Sequence, residues 1–434
     1  MAERFLARRK RIETNGVANY QRHNKMKRLF LTVYILILSI VACGKSPAAI
    51  PTVIITPVPS TSSSKLWYLT RGEAKSDQAW GVAKDSSGNI YTAGYYQSPA
   101  SALFYDMVIY KFTSDGTELW RTQWGQALEE KAFVVWVQEP YVYIGGTQHT
   151  SAAIEEADMA ILALDMDTGK VMWSYTWGQG YGYEEVDGLV ADADFIFVSG
   201  WTTGEKTGGD IAILKLNRFD GSLIWAKTWG TDKFDSADGQ MVVDEKFIYV
   251  SGRTEAESAL FGGKALIVKF DKANGDYLDH QAWGGPIFND GLGMTSDGSS
   301  LYVVGLTLGY GNGGQIFLLK YNKSLDLLWQ QLWGEPGGES ARAAVMDAAG
   351  NILVAGNTDS YGKGKGDIAL LSFSASGSLN WYSLWGGPRK DVTQGLVISD
   401  NFVYLVGSTE NNSAGLNDAL LIKANVNTGE FPNP

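Results

Sequence analysis

The sequence is poor in the side chains from which most catalytic and metal sites are built. Its 434 residues contain one cysteine, three histidines and eleven prolines. The single cysteine, Cys43, excludes an internal disulfide, and the histidines His23, His149 and His280 are too scattered to indicate a metal site or a catalytic triad. A G-x-S-x-G elbow, a P-loop and an H-E-x-x-H motif are also absent. We therefore expect no enzyme activity and no cofactor.

Basic residues are scarce outside the N-terminus. Residues 1–42 carry nine Lys/Arg and two Asp/Glu, which leaves 27 basic and 45 acidic residues in the rest of the chain. A folded part with that acidic excess repels polyanions. The balance argues against nucleic acid as a partner.

Helical periodicity is absent, and a repeat of 50 to 54 residues takes its place. Each unit ends in a Trp-Gly pair, at Trp124, Trp177, Trp229, Trp283, Trp333 and Trp385. The unit Asp210–Gly230 is typical: an apolar run, a turn at Phe219-Asp-Gly-Ser222 and a Trp-rich second run. This pattern predicts two antiparallel strands joined by a tight turn.

Two further strands precede this pair in every unit. The first is short and Gly-containing, as in Gly188-Leu-Val190, and the second is apolar on both faces, as in Phe195–Gly200. Four strands per unit, buried on both faces, predict an all-β propeller of four-stranded antiparallel blades. We expect the first-strand glycines at the crowded axis and the tryptophans of the fourth strand packed between blades at the rim.

The two ends of the repeat region complete one another. The last unit stops near Asn427–Phe431, before its fourth strand, and a matching strand stands at the other end as Leu66–Thr70. Pairing of the N-terminal strand with the last blade would close the ring and remove two open sheet edges. The sequence thus predicts a seven-bladed propeller over residues 65–434, and we expect it to be monomeric.

The N-terminal region is predicted to contain a signal peptide followed by an extended tether. Met26-Lys27-Arg28 precede an apolar run, Leu29–Ala42, which is too short to span a bilayer comfortably and suits a signal-peptide core. Residues 1–42 are thus a predicted signal peptide, with Met26 as an alternative start. Residues 43–64, rich in Pro, Ser and Thr, are predicted to form an extended tether.

Three segments of the sequence resemble known families. Ile40-Val41-Ala42-Cys43-Gly44 resembles the lipobox of bacterial lipoproteins, which implies cleavage before Cys43, lipidation of its sulfur and anchoring to the bacterial cell membrane outside the cytoplasm. Asp85–Gly94 resembles bacterial propeller repeats of the SBBP type, and Ala163–Tyr175 is similar to the tryptophan-docking repeat of quinoprotein-like propellers, including outer-membrane assembly-factor lipoproteins. Quinoprotein dehydrogenases differ in having eight blades and a vicinal cysteine pair, so the resemblance does not imply their chemistry here.

One constellation of acidic residues repeats with the blades. In each unit the residue stands five or six positions after the closing glycine of the preceding unit. It is Asn289 in one unit and an acid in the others: Asp77, Glu130, Glu184, Asp235, Glu339 and Asp391. Further acids, such as Asp158 and Asp210, open the third strands on the same side of the disc. The carboxylates either accept hydrogen bonds within the loops or form an electronegative face for a basic partner or a cation such as calcium. We take them as candidate ligand-face residues, whose neutralisation would weaken binding more than stability unless each is hydrogen-bonded.

Three function classes remain open. A membrane-tethered binding or scaffold module for another envelope protein agrees with the anchor, the tether and the variable loops of the disc. A glycan-binding module is suggested by loop aromatics at Tyr95, Tyr96, Trp201, Tyr310 and Tyr361. An enzyme centred on the axial channel is the third class, although the sequence offers no residues for it.

Overall fold

The computed structural model describes residues 65–434, except 73–75, 98–103, 126–127, 152–155, 181, 204–207, 257–261, 311–312, 336, 412 and 414. The described residues form seven antiparallel sheets; six are built from strands that follow one another along the chain, and the seventh combines the first strand with the last three. The inner strands are β2 (Gln78–Lys84), β6 (Glu130–Gln138), β10 (Glu184–Ala191), the split pair β14 (Asp235–Ser236) and β15 (Met241–Val243), β19 (Asn289–Ser296), β23 (Glu339–Met346) and β27 (Asp391–Ser399).

The remaining strands lie progressively further from the axis. The second strands are β3 (Ile90–Tyr96), β7 (Tyr141–His149), β11 (Phe195–Thr202), β16 (Phe247–Thr254), β20 (Ser300–Thr307), β24 (Ile352–Thr358) and β28 (Phe402–Thr409). The third strands are β4 (Asp106–Phe112), β8 (Ala157–Asp165), β12 (Asp210–Asn217), β17 (Lys264–Asp271), β21 (Gln315–Asn322), β25 (Asp367–Phe373) and β29 (Asp418–Asn425). The outer strands are β5 (Glu118–Trp124), β9 (Val171–Trp177), β13 (Leu223–Trp229), β18 (Tyr277–Trp283), β22 (Leu327–Trp333), β26 (Leu379–Trp385) and β1 (Trp67–Arg71).

The predicted seven-bladed propeller is confirmed, and so is its closure. β1 pairs antiparallel with β29, from Trp67 opposite Lys423 to Arg71 opposite Ala419, so the N-terminal strand supplies the outer strand of blade 7. Blades 7 and 1 are joined a second time, because the Asp77 amide donates to the Asn417 carbonyl at 2.9 Å. No helix capable of crossing a membrane occurs within the described part of the chain. Cys43, the signal peptide and the tether lie outside the described residues.

The rim tryptophans pack between blades, as the sequence predicted. Trp120, Trp173 and Trp225 each donate Nε1–H to a backbone carbonyl in the β-turn of the next blade, at 3.0 to 3.2 Å. Each indole also covers a turn glycine; a Cβ on Gly169 or Gly221 would lie 2.6 to 2.7 Å from the ring. Burying such a ring is worth on the order of 3–5 kcal/mol. These tryptophans therefore couple neighbouring blades and do not present a binding face.

The inner strands are longer than the sequence pattern indicated. β10, for example, runs from Glu184 to Ala191, whereas only Gly188–Val190 was predicted. The reason is a bulge in the middle of the strand, which breaks the alternation of side chains on which strand prediction relies. In blade 4 the interruption is wide enough to divide the strand into β14 and β15.

Candidate functional site

The bulge recurs at one level in six of the seven inner strands, and the interruption of the blade 4 strand lies at the same level. The pairing register skips a single residue in six blades: Trp80, Phe133, Asp187, Leu292, Arg342 and Gln394. In blade 4 Asp238 lies in the gap between β14 and β15. A bulged residue leaves the hydrogen-bonded ladder, and its side chain is free to take a new direction.

All seven of these residues line one axial channel. The channel has a volume of about 550 Å³ and is walled by the inner strands of every blade. We call the level formed by the bulge residues the channel mouth; it consists of Trp80, Phe133, Asp187, Asp238, Leu292, Arg342 and Gln394. None of these residues is predictable from the repeat, because an isolated bulge residue carries no periodic signal.

The inner-strand glycines lie where the blades come closest, which confirms their predicted place at the axis. A Cβ on Gly81 would lie 2.7 Å from the Val135 backbone nitrogen of the next blade, and one on Gly395 would lie 2.9 Å from the Trp80 carbonyl oxygen. Cβ atoms do not tolerate such distances to backbone. Small residues at this level therefore let seven strands converge directly beneath the mouth.

A glutamine side chain links three blades at the channel wall. Gln240 of blade 4 accepts hydrogen bonds on Oε1 from the Met294 amide of blade 5, at 3.2 Å, and from the Ala344 amide of blade 6, at 3.1 Å. Its own carbonyl accepts from Ser251 Oγ at 3.0 Å. The side chain thus connects blades 4, 5 and 6.

Aromatic, acidic and basic side chains occupy different parts of the channel mouth. Trp80 and Phe133 form an edge-to-face pair at 5.2 Å on blades 1 and 2. Two carboxylates, Asp187 and Asp238, follow on blades 3 and 4, and Arg342 stands on blade 6. The mouth therefore offers an aromatic wall, an acidic wall and a guanidinium to the same cavity.

Two polar atoms of the mouth have no hydrogen-bond partner among the described residues. Arg342 Nε and Gln394 Oε1 are both buried, one a donor and the other an acceptor. Burial lowers the pKa of Arg342, and the charges of Asp290 and Asp238 oppose that shift. A buried polar group without a partner costs about 1–3 kcal/mol. Such groups are expected where something else completes the hydrogen bonding.

The acids predicted to form a ligand face begin the inner strands and are buried within the loops. Asp77, Glu130, Glu184, Asp235, Glu339 and Asp391 are each at most 2% exposed. Their spacing from the Trp-Gly pair has a local cause: the carboxylate accepts the amide that follows the closing glycine, as Asp235 does from Thr231 at 2.6 Å and Asp391 from Gly387 at 2.8 Å. A contact between these acids and a ligand stays a prediction.

A threonine at the end of the second strand completes this turn. Thr202 and Thr358 donate to the carboxylates of Glu184 and Glu339 at 2.8 and 3.0 Å, and Thr307 donates to Asn289 at 2.7 Å. Asn289 can replace an acid because the position mainly needs an acceptor. The repeated acid is therefore part of the blade-to-blade turn.

Neutralising three of these acids should reduce stability. Asp77 accepts the Gln97 amide, and Asp235 and Asp391 accept loop amides, so the triple variant Asp77→Ala, Asp235→Ala, Asp391→Ala leaves buried amides without partners. We expect each substitution to cost on the order of 1–3 kcal/mol. Thermal melting measures this, with Asp232→Ala, an exposed residue, as control. An unchanged melting temperature would contradict the role of the acids in the turns.

Glu184 has a pKa far above the ordinary value of a glutamate. Burial raises its pKa to about 8, and the neighbouring charge of Asp158 acts in the same direction. The folded protein then keeps a proton that the unfolded chain loses near the ordinary value of about 4.3. Stability from this group is complete below that value and is lost as the pH rises towards 8.

The pH dependence of melting should therefore change when Glu184 is replaced by Gln. Between about pH 5 and pH 8, we expect the wild type to lose on the order of 2–4 kcal/mol relative to Glu184→Gln, which cannot titrate. Parallel melting curves across this range provide the measurement. If the two proteins keep a constant difference in stability, Glu184 is ionised in the folded state and the expectation is wrong.

The loop aromatics proposed for glycan binding lie in different environments. Trp201 is buried between Tyr183 and Phe234, with ring centroids at 5.5 and 5.8 Å, and Tyr95 packs on Tyr105 at 4.9 Å. Tyr361 packs against Trp333, and Tyr96 is half-buried. Tyr310, stacked on Trp283, is exposed. The structure does not bring these five side chains together as one surface.

Solved structures similar to this one share the propeller fold at low sequence identity. The WD40 β-propeller domain of Doa1 is 12% identical and matches with a TM-score of 0.52 over 83% of this chain and 97% of that chain. The quinohemoprotein alcohol dehydrogenase of Comamonas testosteroni is 12% identical, with a TM-score of 0.48 over 85% of this chain and 77% of that one. These likenesses concern the fold alone.

The sequence itself identifies the family. No curated protein matches the chain. The family model described as outer membrane protein assembly factor BamB matches residues 208–430, more than half of the sequence, and confirms the resemblance to quinoprotein-like repeats. The chain belongs to the family of outer membrane protein assembly factor BamB.

Proposed function

We propose that this protein is a lipid-anchored, extracytoplasmic scaffold whose propeller binds another protein of the cell envelope. Family membership supports an envelope role, since the family's name describes an outer-membrane assembly factor. Anchoring rests on Cys43 and the signal-like segment before it. The observation that carries the binding role is an apolar surface on the rim.

Three consecutive blades expose pairs of large apolar residues at the start of their outer strands. These residues form what we call the rim patch: Leu223 and Ile224 on blade 3, Tyr277 and Leu278 on blade 4, and Leu327 and Leu328 on blade 5. Each is between 39% and 52% exposed. Outer strands also present unpaired backbone groups along their free edge. Apolar side chains beside an open edge suit an apolar segment of a partner protein.

Site-specific photocrosslinking in the native cell tests this role. A photoreactive residue at Ile224, Leu278 or Leu328 is expected to give one discrete protein adduct, and the same adduct at all three positions. Leu119 and Met172 occupy the same strand position on blades 1 and 2 and are also exposed, so they serve as matched controls. Equal crosslinking at the control positions, or none at the rim patch, would contradict this binding surface.

The glycan alternative predicts a different result. A glycan-binding module would bind an oligosaccharide array through its loop aromatics, and Tyr310→Ala would abolish that binding. Rim substitutions such as Leu278→Ser would leave it intact. Array binding of this kind without a protein adduct favours the glycan class.

The anchor is tested separately. Cys43→Ser removes the only thiol and should release the protein from the membrane fraction into the soluble fraction. Mass spectrometry of the membrane-bound wild type should find lipid on Cys43. An unmodified Cys43 on mature, membrane-bound protein would exclude lipidation as the anchor.

A further inference from the structure

The channel mouth is a site that neither the family nor the rim patch explains. Seven side chains of different chemical types line one cavity there. The cavity has a volume of about 550 Å³, which is common for small-molecule sites. We infer that the mouth binds a small zwitterion of the class of free α-amino acids with an aromatic or aliphatic side chain.

The anionic group of such a ligand has a partner in Arg342. This guanidinium faces the channel, and its Nε is buried without a hydrogen-bond partner among the described residues. No carboxylate is paired with it there, although Asp238 and Asp290 are close enough to act on its charge. A ligand carboxylate would supply the missing acceptor, and guanidinium–carboxylate hydrogen bonds are among the strongest in proteins.

The cationic group has acceptors on blades 3, 4 and 7. The carboxylates of Asp187 and Asp238 line the cavity on adjacent blades, and Gln394 Oε1 is a buried acceptor that lacks a donor among the described residues. An ammonium group carries three donors and no acceptor, which fits these oxygens. A simple anion would leave Gln394 Oε1 without a donor, and a simple cation would leave Arg342 Nε without an acceptor.

The body of the ligand would meet the apolar part of the ring. Trp80 and Phe133 form a continuous aromatic wall, and Leu292 completes the apolar lining on blade 5. Trp80 is held in place because its Nε1–H donates to Gln78 Oε1 at 3.1 Å. Below the mouth, Gln240 and the glycine-containing strands continue the channel wall.

Calorimetric titration with three related compounds tests the inference on the wild-type protein. L-phenylalanine is expected to bind, whereas N-acetyl-L-phenylalanine lacks the ammonium and L-phenylalanine amide lacks the carboxylate. Loss of either charge should weaken binding at least about tenfold, the effect of one hydrogen bond to a charged group. L-leucine and L-tryptophan extend the probe set to other apolar side chains.

Substitutions in the protein provide the second arm. Arg342→Gln and Asp187→Asn should each weaken binding of the zwitterion at least about tenfold. Lys84→Gln removes a charge from another level of the channel wall and should leave binding unchanged. If a mouth variant does not fold, the comparison of the three related compounds on the wild-type protein still tests whether both charges of the ligand are recognised.

Two outcomes would overturn the inference. One is the absence of binding by all three amino acids up to about 10 mM. The other is binding that the acetylated or amidated compound retains in full, since recognition would then not involve both charges. Neither outcome affects the rim patch, so this inference and the proposed scaffold role fail independently.

Discussion

Deletion of residues 65–71 is expected to lower the melting temperature by more than about 10 °C. The segment contributes the whole outer strand of blade 7, whose five residues pair with β29. It also carries Trp67, which packs on the turn of blade 1 near Gly116, and Tyr68, which meets Trp385 edge to face at 5.3 Å. Losing the packing of Trp67 alone costs about 3–5 kcal/mol, and a domain of this size loses roughly 1–2 °C per kcal/mol, so the expected shift also requires the lost strand pairing and the contacts of Tyr68.

The matched control is deletion of residues 44–64, the predicted tether, which should leave melting unchanged. Trp67→Ala serves as a graded variant if the deletion does not fold, and we expect it to lie between the two truncations. Circular dichroism and calorimetry on the three proteins give the comparison. Identical melting of both truncations and the full domain would show that the closing strand does not hold the ring together.

The periodic part of this fold was predictable from the sequence. Strand ends at Trp124, Trp229 and Trp385 coincide with the predicted Trp-Gly pairs because the following glycine is confined sterically. A Cβ on Gly125 or Gly230 would overlap the aspartate that opens the third strand of the same blade. Such a constraint repeats in the chain as a visible motif, and counting motifs gives the number of blades.

The candidate site was not predictable in the same way. Trp80, Asp187 and Arg342 occupy one structural position but share no chemistry, so the repeat conceals them. The recurring acids allowed two interpretations, hydrogen bonding within the loops and an electronegative ligand face, and their spacing alone did not distinguish between them. The recurring threonine that pairs with the acid, as in Thr202 with Glu184, was the available signal for burial.

Blade 4 departs from the repeat at the rim in a way that explains a strained residue. Its outer strand has Asp279 where β5, β9, β13, β22 and β26 have the docking tryptophan. The turn of blade 5 that would receive the indole has Leu325 where the corresponding turns of blades 1 and 6 have Gly116 and Gly377. Leu325 has φ of 64°, unfavourable for a leucine, and is 1% exposed.

Leu325 therefore fills the space that the missing tryptophan leaves. It belongs to the apolar core between blades 4 and 5, together with Tyr249, Ile267 and Phe317. The cost of its left-handed backbone, on the order of 1 kcal/mol, is smaller than the gain from burying a leucine. The two substitutions compensate for one another, which makes this pair a direct test of tryptophan docking.

Leu325→Gly alone should destabilise the protein by about 2–4 kcal/mol, since the cavity left by the side chain outweighs the relief of backbone strain. Asp279→Trp alone should also be unfavourable, because Leu325 occupies the docking position and leaves the new indole exposed. The double variant restores the arrangement of Trp225 on Gly275 and should recover most of the loss. Denaturant unfolding of the wild type, both single variants and the double variant yields the coupling free energy, which we expect to favour the pair by at least about 2 kcal/mol. Additive effects would mean that the indole does not dock on the blade 5 turn and that the glycine there has another cause.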